Sequence, residues 1–194
     1  MVYDYEIGGV PMRTGDLICT TDGGGPLVGG EVWRLIGQLI PGPVDHIVIY
    51  VGPDGLCVEA GARLRVISFE ASGNTWDARK MVRQRGPLID AFYGVAYPLA
   101  DKGMSAAKEA GVRESVAQYC LKQAQAGKPY NIDFLNSATQ NAFYCSQLAY
   151  KAYLRKGIDL NTGKGVPNLP GTESIIFPQE IWSGCKHKRA QGGA

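Results

Sequence analysis

His46-Ile47-Val48-Ile49-Tyr50-Val51-Gly52-Pro53-Asp54-Gly55-Leu56-Cys57-Val58-Glu59-Ala60 is a run rich in β-branched residues and a second, largely apolar run, joined by two glycines, a proline and an aspartate. That is the composition of an antiparallel hairpin. Glu59 is a carboxylate in an otherwise apolar strand, and an acid there needs a partner. With a two-residue turn at Pro53-Asp54, Val48 faces Glu59 and His46 lies diagonally on the same sheet face, within reach for carboxylate to orient imidazole. Pro-Asp-Gly equally suits a three-residue loop with a bulge, which changes the facing. Asp45 is the competing orienter of His46, and an exposed edge position is the plain alternative for Glu59.

Outward from the hairpin, Gly15-Asp16-Leu17-Ile18-Cys19-Thr20 reads as a short strand, and strands are also expected over 64–69 and 92–97. The glycine-rich stretch 22–30 reads as a loop. It lacks the G-K-[ST] ending and the dinucleotide spacing, so it is not a phosphate loop. Residues 31–40 place Val32, Leu35, Ile36 and Leu39 at helical spacing, and Pro41-Gly42-Pro43 ends that helix. Helices are expected over 112–126, stopped by Gly127 and Pro129, and over 143–156, with Gly157 as the residue after its end. The stretch 161–172 is a loop, and 177–182 a short helix with proline in its first turn. The stretch 72–90 follows no pattern. Without repeats or linkers, 1–194 reads as one domain, with its core over about 13–182 and a C-terminal tail over about 183–194.

The apolar fraction of 45% and charged fraction of 20% are those of a globular protein with a real core. Five cysteines without a C-x-x-C pair suggest neither a zinc site nor a disulfide framework, and no cofactor is called for. Their odd number fits free thiols in a reducing compartment. The acidic start MVYDYEIGG is not that of a signal peptide, so the expectation is cytoplasmic residence or export by a signal-independent route. The longest apolar run, 47–51, is too short to cross a bilayer, which leaves only peripheral membrane contact. Net charge is +2, and Lys186-His187-Lys188-Arg189 reads as a solvated tail, not a nucleic-acid surface.

Phe143-Tyr144-Cys145-Ser146-Gln147-Leu148 puts a cysteine in the first turn of a helix, where unpaired N–H groups and the positive end of the dipole favour thiolate and can hold an oxyanion. The bland reading is a core thiol, since Cys145, Leu148, Ala149 and Ala152 share one face. A thiol nucleophile needs an imidazole as proton carrier. Of the two histidines, His187 falls in the expected tail, which leaves His46.

Gly15-Asp16-Leu17-Ile18, Asp45-His46-Ile47-Val48-Ile49-Tyr50-Val51-Gly52, Val58-Glu59-Ala60, Gly127-Lys128-Pro129-Tyr130, Tyr144-Cys145-Ser146-Gln147-Leu148 and Pro178-Gln179-Glu180-Ile181 together, in this order, resemble the permuted NlpC-like, YiiX-like branch of papain-fold cysteine hydrolases. Histidine before cysteine marks the permuted order. The resemblance implies an α+β fold with an antiparallel sheet packed against the nucleophile-bearing helix. It also implies Cys145 as nucleophile, His46 as general base then acid, and Glu59 as third polar residue. The substrate it implies is a small N-acyl or peptidoglycan-like peptide cleaved at an amide, or alternatively a lipid acyl ester, for which helix 31–40 with Trp33 would serve as a membrane-facing lid. A non-catalytic binding module that kept the fold is the reading from a different class.

Overall fold

The computed structural model describes residues 1–21 and 41–190, so the expected loop at 22–30 and helix at 31–40 lie outside the described residues. The architecture is mixed α+β. Among the described residues, eight strands and four α-helices follow in the order β1 (Asp4–Ile7), β2 (Val10–Arg13), β3 (Leu17–Thr21), β4 (His46–Tyr50), β5 (Leu56–Ala60), β6 (Val66–Glu70), α1 (Ala78–Arg85), β7 (Ala91–Tyr97), α2 (Ala106–Gln125), α3 (Cys145–Leu154), α4 (Pro178–Gly184) and β8 (Lys186–Arg189). Six strands form one antiparallel sheet in the order β6-β5-β4-β3-β7-β8, and β1 and β2 form a separate hairpin.

The β4–β5 connection decides the register. Pro53–Gly55 is a single 3-10 turn, with Asp54 and Gly55 at φ 57° and 76°. Val51 and Gly52 both donate their N–H to the Leu56 carbonyl, at 2.9 and 3.2 Å. The turn closes around Asp54-Gly55 through the Leu56 N–H and the Pro53 carbonyl, with a bulge at Val51-Gly52, yet Ile49 pairs with Val58 and Tyr50 with Cys57, the same register that a two-residue turn at Pro53-Asp54 sets. Continued by one residue, it sets Val48 opposite Glu59 and leaves His46 diagonal to it.

Side chains alternate across a strand, so the sheet feeds two cores. Leu17, Cys19, Ile47, Ile49, Val58 and Ala60 face α2, α3 and α4. Ile18, Val48, Tyr50, Cys57, Phe69 and Val95 face the β1–β2 hairpin and α1 through Ile7, Val10, Met12 and Met81. By the same alternation Thr20, His46 and Glu59 belong to the α1 side.

Four expectations change. α2 begins at Ala106, six residues before its expected start, because the Ser105 side chain accepts the Lys108 N–H as an N-cap. Phe143 lies outside α3 in a bridge to Tyr130, and Tyr144 is the N-cap. The patternless stretch 72–90 contains α1, capped by Asp77. Lys186–Arg189 is not a free tail: its side chains are exposed, but its backbone pairs with β7, Gly94 opposite Arg189 and Tyr97 opposite Lys186. Two further strands, β1 and β2, were not expected. Gly8-Gly9 joins them with φ 56° and 76°, the two-residue turn that only glycine or asparagine-like residues take readily. α3 ends at Leu154, two residues before its expected end, while Gly157 takes its expected place after it. Gly157, at φ 73°, donates to Leu154 O and Ile158 donates to Tyr153 O, a Schellman closure.

Candidate active site

α3 starts at Cys145 because its first turn is tied from outside. The buried Gln147 side chain accepts the Tyr144 N–H at 3.1 Å and the Asn131 amide at 3.0 Å, and it donates to the carbonyls of Ser137 and Thr139. One side chain thus holds the 131–143 loop against the helix end. From the opposite flank, Ser146 donates its hydroxyl to Ile176 O at 2.6 Å and the Ile176 N–H reaches the Tyr144 hydroxyl at 3.0 Å. Cys145 is only 5% exposed, beside first-turn N–H groups that have no carbonyl four residues back.

His46 reaches the thiol from the first position of β4. Its Nε2 lies 2.8 Å from Glu59 Oε2, with Glu59 fully buried. The ring and the Ile47 N–H also lie beside the Cys145 thiol, near enough to act on its charge. With Nε2 on Glu59, Nδ1 is the nitrogen that meets sulfur. Paired backbone between β4 and β5 ends at Ile49 and Val58, so the thiol, carried by a helix on one layer, meets an imidazole from the other around the end of the ladder. Glu59, and not Asp45, is the carboxylate on Nε2. His187 is on β8, its ring stacked against Trp182 with centroids 4.1 Å apart.

Burial opposes charge on all three groups, and the partners reverse it. For Cys145, burial pushes the thiol up, but the His46 imidazolium, its hydrogen bond and the Ile47 N–H bring it below the ordinary cysteine value. For His46, burial pushes down, while Cys145 and then Glu59 hold it well above the ordinary imidazole value. For Glu59, burial pushes up, and Arg85 followed by His46 bring it below the usual carboxylate value. The other four thiols move the opposite way: burial raises Cys19, Cys57 and Cys120, and pushes Cys185 up to about 11. Among the five cysteines, Cys145 alone has its thiol lowered.

The sequence reading missed the partner beyond Glu59. Arg85, on the last turn of α1, is fully buried, with Nε 3.1 Å from Glu59 Oε1 and Nη2 2.8 Å from Glu59 Oε2. It holds Asp90 as well, Nη1 to Oδ1 at 2.7 Å and Nη2 to Oδ2 at 2.9 Å. One signal was present: Ala78, Met81 and Arg85 fall at i, i+3 and i+7, so Arg85 occupies a core place on an otherwise polar helix. Among the described residues no group of His, Cys, Asp and Glu is arranged to hold a metal ion, and no helix is long and apolar enough to cross a membrane.

A buried thiol beside an imidazole that is itself hydrogen-bonded to a carboxylate is a set able to transfer acyl groups through sulfur. No known protein family, curated protein or solved structure matches the chain.

Proposed function

We propose that this protein is a cysteine hydrolase of permuted papain-like fold that forms an acyl-enzyme on Cys145 and cleaves an amide in a small N-acyl or peptide substrate. The observation that carries the reading is the Cys145–His46–Glu59 line at the N-terminus of α3, with the thiol lowered and the imidazole raised. An inert core cysteine has no such partners, and its thiol is raised by burial as in Cys120.

The Cys145 thiolate attacks the carbonyl carbon, and the carbonyl π electrons move to oxygen. First-turn N–H groups of α3 receive that oxyanion. As the tetrahedral intermediate collapses, the C–N bond breaks and the His46 imidazolium gives its Nδ1 proton to the leaving amine. Water then attacks the thioester, His46 takes its proton, and the C–S bond breaks to release the acid and restore the thiolate and imidazolium. Glu59 stays ionised throughout and holds the ring in one orientation.

The same steps cleave an ester, and one observation favours an acyl chain as substrate. Ile132 and Leu135, 80% and 58% exposed, stand on the 131–143 loop that leads into Cys145. Acyl-peptides and phospholipid vesicles, each incubated with the wild-type protein and with Cys145→Ala, separate the readings. Release of amine from acyl-peptide, lost in the variant, is the expected result; cleavage of lipid alone replaces the amidase reading with the acyl-ester one. Iodoacetamide labelling decides between enzyme and silent binding module. Cys145 is expected to react faster than Cys19 and Cys120 near neutral pH, and an equal rate defeats the enzyme reading.

A further inference from the structure

We propose that Arg85 and Asp90 are positioning residues that extend the site into one buried line of alternating charge, Cys145–His46–Glu59–Arg85–Asp90, in which Asp90 fixes Arg85 and Arg85 fixes the carboxylate that orients His46. The proposal rests on the reading of Cys145 as the nucleophile and adds the two residues behind its orienter.

The geometry is that of a clamp. Arg85 Nη2 places one hydrogen on Glu59 Oε2 and the other on Asp90 Oδ2, while Nε and Nη1 take the second oxygen of each carboxylate. Phe69 and Trp76 lie against the guanidinium, its carbon 4.9 and 4.8 Å from their ring centroids. Asp90 is fixed in turn by the Thr20 hydroxyl at 2.7 Å and the Trp76 Nε1 at 3.0 Å. Thr20 pairs with His46 across β3 and β4, so the line returns to the strand it started from. Only arginine has the planar fork for two carboxylates at once.

Charge counting gives the reason for two carboxylates around one guanidinium. Glu59 alone with Arg85 is a neutral pair and offers little to an imidazolium. Asp90 restores one net negative charge behind His46, and an imidazolium beside it stabilises the thiolate. Asp90 therefore acts on the thiol through three intervening groups, Arg85, Glu59 and His46, and never touches a substrate.

The test is the pH dependence of Cys145 alkylation by iodoacetamide, located on the chain by peptide mass mapping, in the wild-type protein, Asp90→Asn and Arg85→Lys. Asp16→Asn, which breaks the separate buried pair with Arg113, serves as the control for general destabilisation. In the wild type the rate is expected to rise with a midpoint below that of an ordinary thiol. Asp90→Asn is expected to move that midpoint up by about one unit, seen as about tenfold slower alkylation on the rising limb. Arg85→Lys keeps the cation but loses the fork, and is expected to shift in the same direction by less; if Asp90→Asn does not fold, this variant carries the test. Asp16→Asn is expected to lower thermal stability with the midpoint unmoved. Wild-type midpoints in both folded site variants overturn the positioning role and leave the nucleophile standing. An ordinary midpoint in the wild type itself overturns both.

Discussion

Glu59 is the residue on which the site turns, because its Oε2 accepts from both His46 and Arg85 while no part of it touches water. Glu59→Gln keeps the shape and removes the charge, leaving Arg85 and His46 with an amide between them. Breaking a buried charge pair from one side costs about 3 to 5 kcal/mol. A loss of that size in urea unfolding is the expected outcome, together with slower alkylation of Cys145. Asp90 gives the pH dependence. Its carboxyl is held at about 2 by Arg85 against the burial that pushes it up, below its ordinary value near 3.8. The unfolded chain therefore takes up that proton first, and the stabilisation is present above pH about 4 and lost as pH falls through about 2. The stability gap between wild type and Asp90→Asn is expected to be full at pH 6 and to close near pH 2 in denaturation curves. His46, Glu59 and Cys145 were picked out by elimination between two histidines, by one carboxylate in an apolar strand and by the motif order of the resemblance, since the helix start alone favours a core thiol and the hairpin left two registers open. Arg85 and Asp90 were not, since nothing local separates Arg85 from the exposed Arg83 two places before it except its place on the buried stripe of α1.

At the scale of elements, the edge strand β8 shows where composition misleads. Lys186–Arg189 carries only charged or titratable side chains, all exposed, and reads as tail. Its backbone nevertheless pairs with β7, and cationic side chains on an outer strand deter pairing with a second chain. The close approach depends on Gly94. A Cβ there would run into the Lys188 carbonyl oxygen and come within 2.7 Å of the Trp182 ring. Gly94→Ala is expected to cost about 1 to 3 kcal/mol by overpacking and to free the amides of 186–189 to hydrogen exchange, while the Cys145 alkylation profile stays in place. The hairpin β4–β5 was the opposite case. Its alternation and turn residues left two registers open, and the structure takes the one in which Val48 faces Glu59. α2 was read six residues short because its first turns bury no side chain before Val112 and include Gly111, and a single Ser105 cap sets its start.

At the scale of the molecule, the candidate site belongs to neither core alone. His46, Glu59, Arg85 and Asp90 come from the layer shared with the β1–β2 hairpin and α1, and Cys145 from the layer of α2 and α3. The lowered thiol is thus a property of the two layers in contact. In increasing urea, the fast alkylation of Cys145 is expected to collapse to that of an ordinary thiol at the midpoint read by circular dichroism. A collapse at much lower urea would place the site in a locally unfolding unit. The layering itself was only partly legible: alternation announced a two-faced sheet, but which helix covers which face depends on connections that local pattern does not specify. The meeting of Cys145 with a strand end far upstream in the chain also has a meaning for biosynthesis. His46, Glu59, Arg85 and Asp90 all leave the ribosome before the cysteine does, and the nascent thiol has no imidazolium until α3 docks. The lowered thiol comes into being only when α3 meets the strand end, so an unfinished chain carries an ordinary cysteine there.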